Sequence, residues 1–251
     1  MNIIKTNCYE CNNSTYSFDE INKCFGCSSN CITTSILSSF ISVVQPRSIV
    51  ITLSYGILDP FTYSEVDIFH VGLSNSKCQI YNFWNEYKID SQKGIWNKTI
   101  CIDLISIIPE ILNIKNDDFD SILDQNMYEQ KSKFGKYHQL DNNCFDYVCR
   151  FLNTLFEIYK IKVMSKNEFC EIFINEKIME FEKFSRIYKR LKKDKIFTVN
   201  ENDDNKLSKP CVAKICDICG ILVSEGSYIH CDICMDFDIC IECNSSYPHL
   251  H

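Results

Sequence analysis

The chain has 251 residues, of which 45% are hydrophobic and 24% charged, and its formal net charge at pH 7 is −7. This balance is typical of a folded globular protein and excludes a chain that is disordered throughout. The net negative charge offers no basic footprint, so we expect no nucleic-acid partner. The first residues contain no apolar run of signal-peptide length, and no later run approaches the length needed to span a bilayer. We therefore expect no membrane partner and an intracellular, cytoplasmic location.

The chain contains 17 cysteines, most of them in Cys-x-x-Cys pairs near its two ends. An odd number of cysteines arranged in such pairs favours metal binding in a reducing compartment over a disulfide framework. The sequence therefore predicts zinc as the cofactor at both ends.

The first pairs are Cys8-x-x-Cys11 and Cys24-x-x-Cys27, separated by twelve residues. This spacing suits a zinc ribbon, in which two knuckles close one tetrahedral site with four thiolates. We predict such a ribbon over residues 1–35 with one zinc ion. Cys31 is a fifth thiol that could substitute for one of the four. A redox role for either pair is less favoured, because neither lies in a strand-helix context.

The middle of the chain opens with short segments rich in β-branched and aromatic residues. Ser48–Ser54, Val66–Leu73 and Cys78–Trp84 are bounded by turn residues and are predicted as antiparallel strands. The second and third are joined by residues 74–77, a connection short enough for a hairpin.

Helical periodicity begins at Cys144, where apolar residues recur at spacings of three and four. Either Asn142 or Asn143 is suited to cap this helix. Two further helical segments are predicted within residues 166–195. Together these elements predict an α+β core at 36–199, a small antiparallel sheet packed with helices, followed by a polar linker at 200–210.

One pair of residues in this core suggests thiol chemistry. His70 lies on a predicted strand and Cys144 at a predicted helix start, where the helix dipole and an imidazole would lower the thiol pKa. His70 would then act as general base and acid. His138 is an alternative partner. The competing interpretation is structural, with both Cys144 and His70 buried in the core.

The order of His70 and then Asn143-Cys144-x-x-Tyr147 resembles the circularly permuted papain-like hydrolases and acyltransferases, whose pattern has Phe where Tyr147 stands. That resemblance implies a cysteine hydrolase or acyltransferase.

From the first cysteines to about Val199, the chain also resembles the makorin opposite-strand protein family. That second resemblance implies a fold and no activity. It is carried by Phe69–Asn75, Ile80–Asn82, Asn143–Val148, Phe151–Asn153 and Lys166–Tyr188.

Residues 211–251 contain the strongest motif. Eight ligands at this spacing suit two tetrahedral zinc sites, because a short segment buries too little to fold without metal. The ligands are Cys216, Cys219, Cys231, Cys234, Cys240, Cys243, His249 and His251.

This pattern resembles a ZZ-type zinc finger, which implies cross-braced sites. Cys216, Cys219, Cys240 and Cys243 would hold one zinc ion, and Cys231, Cys234, His249 and His251 the other. Some ZZ-type fingers bind a free peptide N-terminus through carboxylates, and the matching residues here are Asp217, Asp236 and Asp238. The alternative is that these aspartates cap turns. Gly220 departs from the pattern, because a polar side chain often assists the ligand there.

Two functions follow as hypotheses. The first is a zinc-binding protein whose ZZ-type module recognises a protein or peptide partner. The second is a cysteine hydrolase or acyltransferase that uses Cys144 and His70 and is targeted by that module.

Overall fold

A computed structural model describes the greater part of the chain. The described residues are 2–38, 41–64, 67–138, 142–200, 214–216, 222–223, 228–231 and 237–246. They divide between two compact units. Unit 1 comprises Met1–Phe40, Asp59–Tyr63 and Lys177–Val212, and unit 2 comprises Ile41–Leu58, Ser64–Glu176 and Ala213–His251.

The strands are short, as expected for antiparallel sheets. In chain order they are β1 (Asn2–Cys8), β2 (Asn13–Ser17), β3 (Ile32–Ser38), β4 (Ile41–Ser42), β5 (Ser48–Leu53), β6 (Phe69–Ser74), β7 (Ile80–Phe83), β8 (Tyr87–Asp90), β9 (Thr99–Asp103), β10 (Ile196–Asn200), β11 (Lys214–Ile215), β12 (Leu222–Val223), β13 (Tyr228–Cys231) and β14 (Phe237–Cys240).

The α-helices are α1 (Leu104–Ile107), α2 (Asn116–Phe134), α3 (Cys144–Ile158), α4 (Lys166–Phe169), α5 (Asn175–Asp194) and α6 (Ile241–Ser246). Short 3-10 helices cover Gly94–Asn97 and Pro109–Asn113, and a π-helical turn at Cys170–Ile174 joins α4 to α5. Among the described residues, no helix combines the length and the apolar character needed to cross a bilayer.

Unit 1 is built on a four-stranded antiparallel sheet in the order β10-β2-β1-β3. Its core joins this sheet to the later turns of α5, which supply Phe184, Ile187 and Leu191. Tyr16 on β2 stacks on Phe197 of β10, with ring centroids 5.2 Å apart. Burial of these apolar side chains holds the sheet to the helix.

Unit 2 contains a six-stranded antiparallel sheet in the order β4-β9-β5-β6-β7-β8. Strands β5, β6 and β7 are buried along their whole length. The three strands predicted for this region and the hairpin between β6 and β7 are thereby confirmed. The class is a mixture of helices and antiparallel sheets, as the sequence predicted.

Helix α3 packs against β6 and β7. It begins at Cys144 because Asn143 accepts hydrogen bonds from the backbone amides of Phe145 and Asp146, while Asp146 accepts one from the Asn143 amide. This reciprocal capping satisfies donors that an uncapped helix start leaves open. Of the two cap candidates in the sequence, Asn143 is therefore the cap.

Gly72 on β6 allows its neighbours an unusually close approach. A Cβ atom at this position would lie 3.0 Å from the carbonyl oxygen of Tyr81 and 3.2 Å from Cη2 of Trp96. The absence of a side chain lets Trp96 lie across the strand, near His70.

Candidate functional site

The four predicted N-terminal ligands form one cluster. The sulfur atoms of Cys8, Cys11, Cys24 and Cys27 lie within 4.8 Å of one another. The Cys8 and Cys27 sulfurs are 3.4 Å apart, and those of Cys11 and Cys24 are 3.5 Å apart. Four thiolates that can surround one point are the donor set of a structural zinc site. The residues present therefore fit the ion.

Within this cluster the pKa shifts differ in direction: the side-chain hydrogen bond with Cys24, followed by burial, raises the pKa of the Cys11 thiol to about 12. The amides of Cys27 and Gly26 lower the pKa of the Cys24 thiol to about 6. For Cys31, burial and the nearby charges of Cys24 and Cys8 raise the pKa to about 11. Cys31 is not part of the four-sulfur group.

A second cluster joins Cys216, Cys240 and Cys243, which are all buried and lie within 4.8 Å of one another. The backbone amide of Cys240 donates to the sulfur of Cys216 at 3.2 Å, and the amide of Cys243 donates to the sulfur of Cys240 at 3.3 Å. Cys240 ends β14 and Cys243 lies on α6, so the turn from strand to helix brings the two together. The cluster agrees with three of the four ligands predicted for one zinc ion.

The other site residues predicted for this segment lie wholly or partly outside the described part of the chain. For Cys231 and Asp238, only the strand positions are described, where they pair with Phe237 and His230. The predicted site residues outside the described part of the chain are Cys219, Cys234, His249, His251, Asp217 and Asp236.

The proposed thiol pair lies on one cavity. His70 on β6 and Cys144 at the start of α3 both line a space of about 150 Å³ in unit 2. The packing of α3 against β6 brings them together although they are distant in sequence. His138 is not among the lining residues; its backbone pairs with that of Asn142. Cys149, five residues further along α3, is buried in the core.

The thiol of Cys144 is protonated near neutral pH. Burial raises its pKa to about 12, although the backbone amides of Val71 and Phe145 act in the opposite direction. The predicted lowering of this pKa is therefore wrong. The cost of burying a negative sulfur exceeds the stabilisation that the helix N-terminus supplies.

The imidazole of His70 is also neutral near pH 7. Burial lowers its pKa to about 4, although the side chain of Asn82 and the charge of Asp90 favour the protonated form. Among the described residues, Nε2 of His70 has no hydrogen-bond partner. The Cys144 thiol therefore does not donate to Nε2 in this conformation, and the pair is neutral rather than ionic.

Three residues around His70 were missed in the sequence. Asn82 on β7 lies within hydrogen-bonding range of the imidazole and donates to Asp90 at 2.9 Å. Asp90 also accepts a bond of 3.4 Å from Nε1 of Trp96. In the sequence, only Asn82 could have indicated this group, because it is a polar residue within a predicted apolar strand. A buried polar side chain at such a position needs a hydrogen-bond partner.

Comparison with protein families gives two matches. The DUF4796 C-terminal family matches residues 39–191, which is more than half of the chain. The ZZ-type zinc finger family matches residues 213–251. No curated protein and no solved structure matches the chain. With the two cysteine clusters, these matches show a zinc-binding protein. The chain belongs to the DUF4796 C-terminal family and carries a ZZ-type zinc finger.

Proposed function

We propose that the protein binds a protein partner through its ZZ-type finger and that the ligand is a free peptide N-terminus. The observation that carries this proposal is the buried cluster of Cys216, Cys240 and Cys243 within the segment that matches the ZZ-type family. A metal-stapled scaffold can hold carboxylates at fixed positions. Charge-assisted hydrogen bonds from an ammonium group to such carboxylates are strong.

The assigned roles follow the family pattern. One zinc ion is held by the Cys216 cluster together with Cys219. The second is held by Cys231, Cys234, His249 and His251. Asp217, Asp236 and Asp238 accept hydrogen bonds from the peptide terminus. The proposed domains are a zinc ribbon at 1–35, an α+β core at 36–199, a linker at 200–210 and the ZZ-type finger at 211–251. The proposed location is the cytoplasm.

The test uses the full chain loaded with zinc. Calorimetric titration with one peptide in two forms, free and N-acetylated, should show binding at least about tenfold tighter for the free form, because acetylation removes the charge that the carboxylates recognise. Asp236→Asn should weaken binding while zinc content stays unchanged. The matched control, Asn244→Asp, should change neither. Equal affinity for the two peptide forms would contradict the proposal.

A second function is supported by the cavity that His70 and Cys144 share. We infer a thiol hydrolase or acyltransferase with Cys144 as nucleophile. The imidazole of His70 is neutral near pH 7, which is the form that a general base requires, and its burial makes it a weaker base than an exposed histidine. As the Cys144 sulfur bonds to an acyl carbonyl carbon, the thiol proton passes to Nε2 of His70. That proton then leaves with the departing alcohol, thiol or amine, and water or another nucleophile later takes the acyl group from sulfur.

The resemblance to permuted papain-like enzymes supports this second proposal, because His70 precedes Cys144 in the chain as the histidine precedes the cysteine in that pattern. The likeness to makorin opposite-strand proteins supports only a shared fold, and it stays a prediction.

Acyl transfer to Cys144 is measurable directly. After incubation with an aryl thioester, peptide mass spectrometry should find the acyl group on Cys144 in the wild type. The control variant Cys149→Ala, which removes another buried thiol, should be acylated on Cys144 in the same way. His70→Gln should slow acylation by about a hundredfold or more, the usual contribution of a general base. Equal acylation rates for the wild type and His70→Gln would exclude the assigned role.

A further inference from the structure

The cavity beside Cys144 has properties that restrict its ligand. We propose that it admits an uncharged acyl group of about the size of one aromatic ring and rejects substrates that are charged near the carbonyl. This inference rests on the proposed thiol chemistry and names the substrate class for it.

The first argument is the charge of the wall. Among the residues that the structure describes there, the cavity lining contains no Asp, Glu, Lys or Arg. The two lining residues proposed for catalysis, His70 and Cys144, are both neutral near pH 7. A charged substituent would enter without a counter-ion, and burying an unpaired charge is strongly unfavourable.

The second argument is size. The cavity measures about 150 Å³. The cavity is open on one side, and Ser54, Asn85 and Asn143 line it together with the aromatic residues. By its volume it holds one ring or a short branched chain beside the sulfur. A polycyclic group exceeds it.

The third argument is the aromatic wall. The ring of Trp84 lies 4.7 Å from that of His70 and 5.4 Å from that of Tyr55, measured between centroids. Tyr55 is 75% exposed, so it marks the open side of the cavity. Phe69 and Phe145, both buried, also line the space. Aromatic faces favour apolar and flat groups over hydrated ones.

The fourth argument is a buried polar atom, in a residue that lines the cavity, for which the described part of the chain provides no hydrogen-bond partner. His70 is only 2% exposed and lines the cavity, and its Nε2 has no hydrogen-bond partner in the described part of the chain. A buried nitrogen without a partner is unfavourable unless a bound group or a moving proton satisfies it. When the Cys144 thiol attacks a bound acyl group, the thiol itself supplies that proton.

The charge selectivity can be tested with two reagents of nearly equal size. Iodoacetamide is neutral and iodoacetate is anionic, and in both cases the thiol sulfur displaces iodide from carbon while the thiol proton is released. The rates at Cys144 are followed by peptide mass spectrometry in the native protein. Cys101, which is partly exposed, serves as the internal reference for the intrinsic difference between the reagents.

Relative to Cys101, Cys144 should prefer iodoacetamide by at least about tenfold, because only the neutral reagent avoids burying an unpaired charge. Tyr55→Lys places a cation at the mouth and should reduce this preference several-fold, because the cation pairs with iodoacetate. Tyr55→Phe keeps the aromatic ring without adding a charge and is the control for the added charge. An iodoacetamide that carries a pyrene ring should label Cys101 and leave Cys144 unmodified.

The outcomes separate the two proposals. If Cys144 shows the same reagent preference as Cys101, or accepts the pyrene reagent, the inference about the substrate class is overturned while the thiol remains a candidate nucleophile. If Cys144 reacts with neither small reagent until the protein is denatured, the proposed thiol chemistry fails and the inference fails with it.

Discussion

The side chain of Asn82 donates a hydrogen bond of 2.9 Å to a carboxylate oxygen of Asp90. Asn82 also lies within hydrogen-bonding range of His70, on the neighbouring strand. The imidazole is thereby connected through Asn82 to the end of β8, where Trp96 donates to the same carboxylate. In the proposed thiol site, we expect Asn82 to hold the imidazole of His70 in position.

Removing the side-chain amide of Asn82 should affect both the stability of the fold and the acylation of Cys144. We expect Asn82→Ala to lower the free energy of unfolding by about 1–3 kcal/mol, because buried groups on both sides lose a hydrogen-bond partner. Acylation of Cys144 should slow as well, since the imidazole is held less firmly. Urea denaturation and acylation kinetics check the two effects.

The control for this variant is Lys88→Ala. Lys88 is largely exposed and lies 3.4 Å from the other carboxylate oxygen of Asp90. Exposed ion pairs contribute about 0–1 kcal/mol, so this variant should stay close to the wild type. If both variants behaved alike, the assigned role of Asn82 would be wrong.

The low pKa of His70 predicts a dependence of stability on pH. Burial lowers the pKa of His70 to about 4, from the usual histidine value of 6.5. Between these two values the unfolded chain binds a proton that the folded protein does not, so stability falls as the pH decreases from 6.5 towards 4. The full difference corresponds to about 3 kcal/mol.

This contribution can be isolated by comparing the wild type with His70→Gln, which does not titrate. The free energy of unfolding should decrease more steeply below pH 6.5 in the wild type, as measured by chemical denaturation at fixed zinc concentration. Identical slopes for the two proteins would show that His70 titrates normally and is not buried.

The N-terminal cluster predicts which thiols hold zinc. We expect Cys27→Ser to lose about one equivalent of zinc from the chain, because a tetrahedral site needs all four donors. Cys31→Ser is the matched control and should keep the full content, since Cys31 lies outside the four-sulfur group. Elemental analysis after gel filtration measures both. Equal zinc loss in the two variants would assign Cys31 to the site.

Gly72 provides a test of packing next to His70. Gly72→Ala would place a methyl group 3.0 Å from the carbonyl oxygen of Tyr81 and 3.1 Å from Cγ2 of Ile80. We expect a loss of about 1–3 kcal/mol, the usual cost of overpacking. Urea denaturation checks it, with Lys88→Ala again as the control. An unchanged midpoint would mean that β7 and Trp96 move aside without strain.

The cysteine spacing and the apolar periodicity were sufficient to predict much of this protein. The pairs Cys8-x-x-Cys11 and Cys24-x-x-Cys27 carry their geometry locally, because each knuckle is formed within a few residues. Strand β5, the hairpin of β6 and β7, and the start of α3 at Cys144 are also local patterns.

The properties of the cavity were decided by the tertiary structure alone. The pKa of Cys144 depends on how completely α3 and β6 exclude water, and a helix start read from sequence predicts the opposite shift. The link from His70 through Asn82 to Asp90 depends on the pairing of neighbouring strands. Sequence determines which groups are present and their local geometry, whereas desolvation and contacts between distant residues arise only when the sheet and helices pack together.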